Sequence, residues 1–133
     1  MASETFLASF GLIGLSLVEL HGIDPQRFAE QVGIASIEIP DARTRLPAQL
    51  ADECFAKAAS LIPDPAFALR AAACWHPSNL GTLGYAWLSS GTLRTALKRL
   101  ARFSRLIGEK AACRVEDGAD AVAFIFDHGR GDT

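Results

Sequence analysis

Cysteine is sparse in this 133-residue chain: Cys54, Cys74 and Cys113 form no C-x-x-C pair. A structural disulfide needs two of the three, and three reduced thiols in a cytosolic protein is the simpler reading. Cys54 and Cys74 fall in apolar helical stretches, where a free cysteine behaves as a small hydrophobe rather than an activated nucleophile. Histidine is equally scarce. His21, His76 and His128 lie far apart, and no H-x-x-x-H, His–Cys or carboxylate cluster has ligand spacing, so neither a metal site nor a cofactor is expected. The 11 glycines hold no G-x-G-x-x-G and no P-loop; Gly81-Thr82-Leu83-Gly84 has the wrong spacing. Asp52 and Glu53 are neighbours on a helix and point in different directions, so they make no acid/base pair. Ser89-Ser90-Gly91 lacks the context of a nucleophile elbow. The sequence gives no positive support for an enzyme.

Long apolar runs are missing too. Phe6 to Val18 is uncharged and largely apolar, but a bilayer span takes about 20 residues. Glu4 stands where a signal peptide carries basic residues. The stretch reads as a mostly buried helix, and no membrane contact is expected. Arg130-Gly131-Asp132 matches an integrin-recognition tripeptide, a length at which chance matches are common, and it is set aside. The net charge is small: 13 Lys+Arg against 15 Asp+Glu give −2, which speaks against wholesale nucleic-acid binding. Hydrophobic residues make up 50% and charged residues 21%, a balance that excludes disorder. The length suits one domain with a real core. The charge is uneven, however. Arg94, Lys98, Arg99, Arg102 and Arg105 lie between Thr92 and Gly108 with no acid among them, leaving the rest of the chain acidic.

Capping chemistry and periodicity predict five or six helices. Ser3 can cap a first helix reaching about Leu20, with Leu7, Phe10, Leu17 and Leu20 on its apolar face. Gly11 and Gly14 offer another helix a close approach. Asp24-Pro25 opens a short helix that Gly33 ends after Val32. Residues 34–45 read as a connection, with Ile37 and Ile39 in a brief extended segment stopped by Pro40. Pro47 begins a helix to about Leu61, with Leu50, Cys54, Phe55 and Ala58 on one face, broken at Ile62-Pro63. Asp64-Pro65 opens another, to about Cys74, and Trp75-His76-Pro77 interrupts it because the residue before proline avoids the helical region. Ser78 to Leu88 is helical again. Thr92 then caps the clearest helix, on which Leu93, Leu97, Leu100, Ser104 and Ile107 share a face. Arg94, Lys98, Arg102 and Arg105 form a basic stripe on another side, and Gly108 ends the helix.

The C-terminal part changes character. Ala111–Val115 and Ala121–Phe126 are strand-like, and Asp117-Gly118 between them suits a hairpin turn. A lone hairpin is marginal, so Val122, Phe124 and Phe126 need cover. Either the hairpin docks on the helices or its edge pairs with a second copy. The expected fold is α+β and mainly α, with the helices followed by a C-terminal β-hairpin in an incomplete sheet.

The segment His76-Pro77-Ser78-Asn79-Leu80-Gly81-Thr82-Leu83-Gly84-Tyr85-Ala86-Trp87-Leu88-Ser89-Ser90-Gly91-Thr92-Leu93-Arg94-Thr95-Ala96-Leu97 resembles the N-terminal effector-binding and dimerisation region of AraC/XylS transcription regulators, often labelled an arabinose-binding-type domain. Arg45-Leu46-Pro47, Asp64-Pro65 and Phe67 upstream agree with it. The resemblance spans nearly the whole chain. It implies a bacterial, cytoplasmic regulatory domain that senses a small-molecule effector, dimerises, or both. Members resemble one another most in a C-terminal pair of helix-turn-helix units, for which this sequence has no candidate. The expectation is therefore a single, truncated sensor domain over residues 1–133, reaching DNA only through a domain not in this sequence. The resemblance names no effector. The alternative is a protein-interaction domain with no small-molecule ligand.

Two groups of residues carry the functional expectation. Trp75, His76, Asn79, Tyr85 and Trp87 combine apolar walls with a few polar groups, as a ligand pocket needs; the alternative is core packing with hydrogen-bonded ring atoms. Arg94, Lys98, Arg102 and Arg105 are the interface candidates, as contacts to the acidic residues of a twin subunit or of the DNA-binding domain. Otherwise they form a solvated helix face. Direct phosphate contact is the least favoured reading, because no aromatic residues interleave with them.

Overall fold

A computed structural model describes residues 4–34 and 43–129. Within them lie five α-helices, three short 3-10 helices and two antiparallel two-stranded sheets. The mainly helical α+β expectation holds. Ser3, Ile37, Ile39, Pro40 and the Arg130-Gly131-Asp132 tripeptide fall outside the described residues.

The chain opens with a strand rather than with helix. Strand β1 (Thr5–Leu7) pairs antiparallel with β2 (Arg45–Pro47), in the register Thr5↔Pro47, Phe6↔Leu46 and Leu7↔Arg45. Thr5 and Phe6 are good strand formers, and a guanidinium holds them in place. Arg45 donates from Nε to Thr5 Oγ1 at 2.9 Å, from Nη2 to the Thr5 carbonyl at 3.2 Å and from Nη1 to the Leu106 carbonyl at 2.7 Å. On the other side of β1, the Leu7 N–H donates to the Ile107 carbonyl at 2.7 Å, Phe6 bridges to Gly108, and the Thr5 hydroxyl donates to Glu109 at 2.5 Å. Helix α1 (Ala8–Leu20) therefore starts four residues later than a Ser3 cap predicts, with Leu7 as its N-cap and no side-chain cap.

Helix α1 is apolar on most of its sides, so it is packed between two groups of elements. On one side it meets α2 (Pro25–Val32), α3 (Ala48–Leu61) and the 3-10 helix Phe67–Ala73. Leu17, Val18, Phe28, Ala58, Ile62 and Phe67 make the core there, with Cys54 and Cys74 packed against it. Both thiols are free, and burial, then the neighbouring Glu53, pushes Cys54 up, which disfavours its thiolate. The Asp24 carboxylate accepts the Gln26 N–H at 2.9 Å, and Gly33 closes α2 with φ 90 in the left-handed region. Phe10, Leu20 and Phe55, expected on apolar faces, are substantially exposed instead. Gly11 is approached by the Phe6 ring and Gly14 by nothing within 4 Å, so neither seats a helix.

On its other side α1 meets the 3-10 helix Pro77–Leu80. The stretch read as one helix from Ser78 to Leu88 is split: Gly81 at φ 60 separates that 3-10 turn from α4 (Thr82–Leu88). Helix α5 (Leu93–Phe103) follows, capped by Thr92 Oγ1 accepting the Thr95 N–H at 3.1 Å, and runs into a 3-10 turn at Ser104–Leu106. The hairpin of β3 (Ala112–Asp117) and β4 (Val122–Asp127) packs on α5 through β3. Its strands take in Glu116 and Asp117, which sequence reading placed in the turn, and the loop closes through the Gly118 N–H and the Ala121 carbonyl at 2.8 Å.

Candidate functional site

The motif from His76 to Leu97 builds one wall of an apolar pocket. Phe10 and Ile13 of α1, Trp75, Leu80, Trp87 of α4 and Leu100 of α5 line a depression of about 250 Å³. Trp75 and Trp87 meet edge to face, with centroids 6.2 Å apart and planes at 89°, the arrangement favoured by ring quadrupoles. No polar side chain lines the pocket.

Of the five predicted pocket residues, the structure brings Trp75 and Trp87 together there. His76 and Asn79 do different work. His76 is extended, at φ −135 and ψ 148, and forms a reciprocal cap with Asn79 over the Pro77–Leu80 turn. The His76 N–H donates to Asn79 Oδ1 at 2.6 Å, and the Ser78 N–H donates to His76 Nδ1 at 3.2 Å. Asn79 is buried and clamps this turn to α1: its Nδ2 donates to the Ser9 carbonyl at 2.9 Å, while Ser9 Oγ donates to the Asn79 carbonyl at 3.0 Å. Tyr85 is 76% exposed and outside the pocket. Sequence reading missed Phe10, Ile13, Leu80 and Leu100 as pocket residues. Their only signal, apolar helical periodicity, is the signal of core.

The basic stripe divides in two. Arg94 Nε and Lys98 Nζ grip the Asp117 carboxylate at 3.0 and 2.8 Å, so half of the stripe meets an acid of its own hairpin. Arg102 lies over the ring of its neighbour Phe103 at 5.4 Å, and Arg105 is exposed. Arg99, outside the stripe, donates from Nη1 to the Ala86 carbonyl at 2.9 Å and to Ser90 Oγ at 3.0 Å, tying α5 to the end of α4. Helix α5 therefore joins the two features: Leu100 faces the pocket while Arg94 and Lys98 hold the hairpin.

The Asp117 pairing carries a pH dependence. The hydrogen bond from Lys98, against an opposing desolvation and with the Arg94 and Lys98 charges, lowers the Asp117 carboxyl from its ordinary 3.8. A carboxylate lowered on folding adds stability above its ordinary value and loses it as pH falls through the folded one. Wild type should lose more thermal stability than Asp117→Asn on acidification from about pH 4 to about pH 2. The difference should be small, because the pair is solvent-exposed. Equal losses in parallel melting series speak against the pairing.

Residues 22–133 match the family model of the arabinose-binding domain of AraC transcription regulators, N-terminal. The chain belongs to this family. No curated protein matches it. The match covers α2 and every later element, including the motif wall of the pocket and the hairpin that α5 grips. Among the described residues of this AraC-type domain, no helix is long and apolar enough to cross a membrane, and no group of three or more His, Cys, Asp or Glu side chains is placed to hold a metal ion.

Proposed function

We propose that this domain is the regulatory part of an AraC-type transcription regulator. It binds a small effector at the Trp75–Trp87 pocket and associates with a second copy of itself, while a separate domain of the regulator contacts DNA. The observation that carries this reading is the pocket, an open apolar depression that α5, the helix that also holds the hairpin, lines through Leu100. An effector seated against Leu100 favours one placement of α5 over others, and the population shift reaches the hairpin through Arg94 and Lys98. The bacterial cytoplasm suits three free cysteines. The domain performs no catalysis in this reading.

The lining favours an apolar effector over a sugar, since a sugar placed against six apolar side chains gives up hydrogen bonds to water without replacement. Bromobenzene, a heavy-atom quencher, should reduce tryptophan emission saturably, and L-arabinose should not. Trp87→Ala should abolish the saturable component. A linear response to bromobenzene in the wild type, the mark of collisional quenching alone, counts against the pocket. It would then favour the second reading, an interaction domain without a ligand, to which exposed Tyr85 and Leu88, one turn apart on α4, lend support.

A further inference from the structure

The two strands of the hairpin differ in how they are guarded. Strand β3 reads Ala112-Cys113-Arg114-Val115-Glu116-Asp117, with a charge at half its positions. Strand β4 reads Val122-Ala123-Phe124-Ile125-Phe126-Asp127, five apolar residues before its first charge. Folded proteins blunt free edges with charges, prolines or bulges. β4 has none of these before Asp127, and among the described residues its sheet has only two strands, β3 and β4. Phe126 is 59% exposed.

Backbone alternation identifies the groups that β4 leaves free. Gly118 and Ala121 exchange a ladder hydrogen bond. In an antiparallel ladder, hydrogen-bonded and non-bonded pairs alternate, so with this register Ala123, Ile125 and Asp127 turn their N–H and C=O groups toward β3. Val122, Phe124 and Phe126 turn theirs outward. The side chains of these three share a face with Cys113, Val115 and Asp117, their direct partners. Val122 also borders a mixed groove with Thr92 and with Leu93, Arg94 and Leu97 of α5, where Leu93 is 66% exposed.

We propose that β4 is the self-association edge of this domain, and that its occupant is β4 of a second copy, antiparallel, with Phe124 opposite its twin. This rests on the self-association part of the function proposed above. The register satisfies outward backbone groups on both copies, sets Val122 opposite Phe126 of the twin on the same face, and brings no like charges face to face. The charges beyond the strand agree with a two-fold arrangement. The turn end of the hairpin carries Glu116, Asp117 and Asp120, while the opposite end follows Lys110 in the chain and meets Ser104, which Arg102 and Arg105 flank in sequence. Several of these are engaged: Asp117 with Arg94 and Lys98, Glu116 with Arg114, Lys110 with Glu4. The acids near the basic end are engaged too, Glu109 by Thr5 and Asp127 by the Gly129 N–H. Among the described residues, no hydrogen bond or ion pair occupies Asp120 at one end, nor the Arg102 and Arg105 guanidiniums at the other. Antiparallel pairing of two β4 strands brings the turn end of each copy to the basic end of the other, in the self-complementary manner of a two-fold interface.

Sedimentation velocity on the whole chain tests this. Wild type should dimerise at tens of micromolar, and Phe126→Lys should weaken dimerisation about 30-fold or more with an unchanged far-UV spectrum and melt, because that side chain is exposed. Asp120→Arg and Arg102→Glu should each weaken it several-fold, and the double variant should recover most of the loss. A wild type that stays monomeric at about 100 μM overturns both the edge and the self-association reading. A wild-type dimer that Phe126→Lys leaves intact overturns the edge alone. A double variant weaker than either single one overturns the antiparallel arrangement.

Discussion

Gly84→Ala is expected to destabilise the domain by about 3 kcal/mol, at the upper end of what one added methyl costs in a packed interior. Gly84 sits in α4 directly against the backbone of Pro77, and a Cβ there would overlap the Pro77 carbonyl oxygen and carbon. A flexible side chain can move aside, but this backbone cannot do so cheaply. Pro77 has a restricted φ, and its turn is held by the His76–Asn79 cap and the clamp to Ser9. Gly14→Ala supplies the control. A methyl group at that glycine would meet nothing within 4 Å, and the residue lies inside α1, so alanine there should stabilise by up to about 1 kcal/mol. Urea unfolding of both variants should give midpoints shifted in opposite directions. A Gly84→Ala midpoint within error of wild type would refute the close approach.

Asn79→Ala is expected to cost about 2–3 kcal/mol and to remove the response to apolar probes. One side chain here satisfies two backbone groups from different segments, the His76 N–H and the Ser9 carbonyl. Removing it leaves the His76 donor without its 2.6 Å acceptor in a half-buried place. Ser9→Ala deletes only the hydroxyl bond to the Asn79 carbonyl and should cost about 1 kcal/mol. The two losses should not add, since both variants cut the same join between α1 and the Pro77–Leu80 turn. Phe10 and Leu80, the residues adjoining Ser9 and Asn79, line the pocket, so slack at the join enlarges it. Denaturant midpoints and bromobenzene quenching on both single variants and the double read the two effects separately. Full additivity in stability, or unaltered quenching by Asn79→Ala, argues against the clamp.

The parts of the fold that were legible in the sequence are those built from local chemistry. Asp24-Pro25 with Gly33, and Thr92 ahead of Leu93, mark helix ends because the capping atoms lie within three residues of the groups they satisfy. The turn of the hairpin was legible for the same reason. The misreadings arose where distant residues decide. Thr5 to Leu7 are strand because Arg45 and Ile107 hold them there, and no window around Ser3 contains either. Asp117 reads as a turn residue until Arg94 and Lys98 are seen to grip it from α5. Phe67–Ala73 winds as a 3-10 helix although Ala, Leu and Arg favour the α form, and nothing in the structure explains that choice. Within the pocket, Trp75 and Trp87 stood out as rare aromatics close in sequence. Phe10, Ile13 and Leu100 did not, because apolar residues at helical spacing look alike whether they face a core or a cleft.

The short ribbon at the start of the chain has a consequence for how the domain comes apart. Its bonds join Thr5 to Arg45 and to Glu109, and Arg45 to Leu106. Every helix from α1 to α5 is thus enclosed in a ring closed by hydrogen bonds near its two ends. Closing so long a loop costs only about 0.6 kcal/mol more for each doubling of its length, so the fastening is thermodynamically modest. It still denies independent release to the parts it joins. Helix α1 cannot leave without pulling β1 from Ile107, and the turn after α5 cannot leave without breaking the same contact from the other side. The helices on the two sides of α1 are therefore expected to melt as a single cooperative unit.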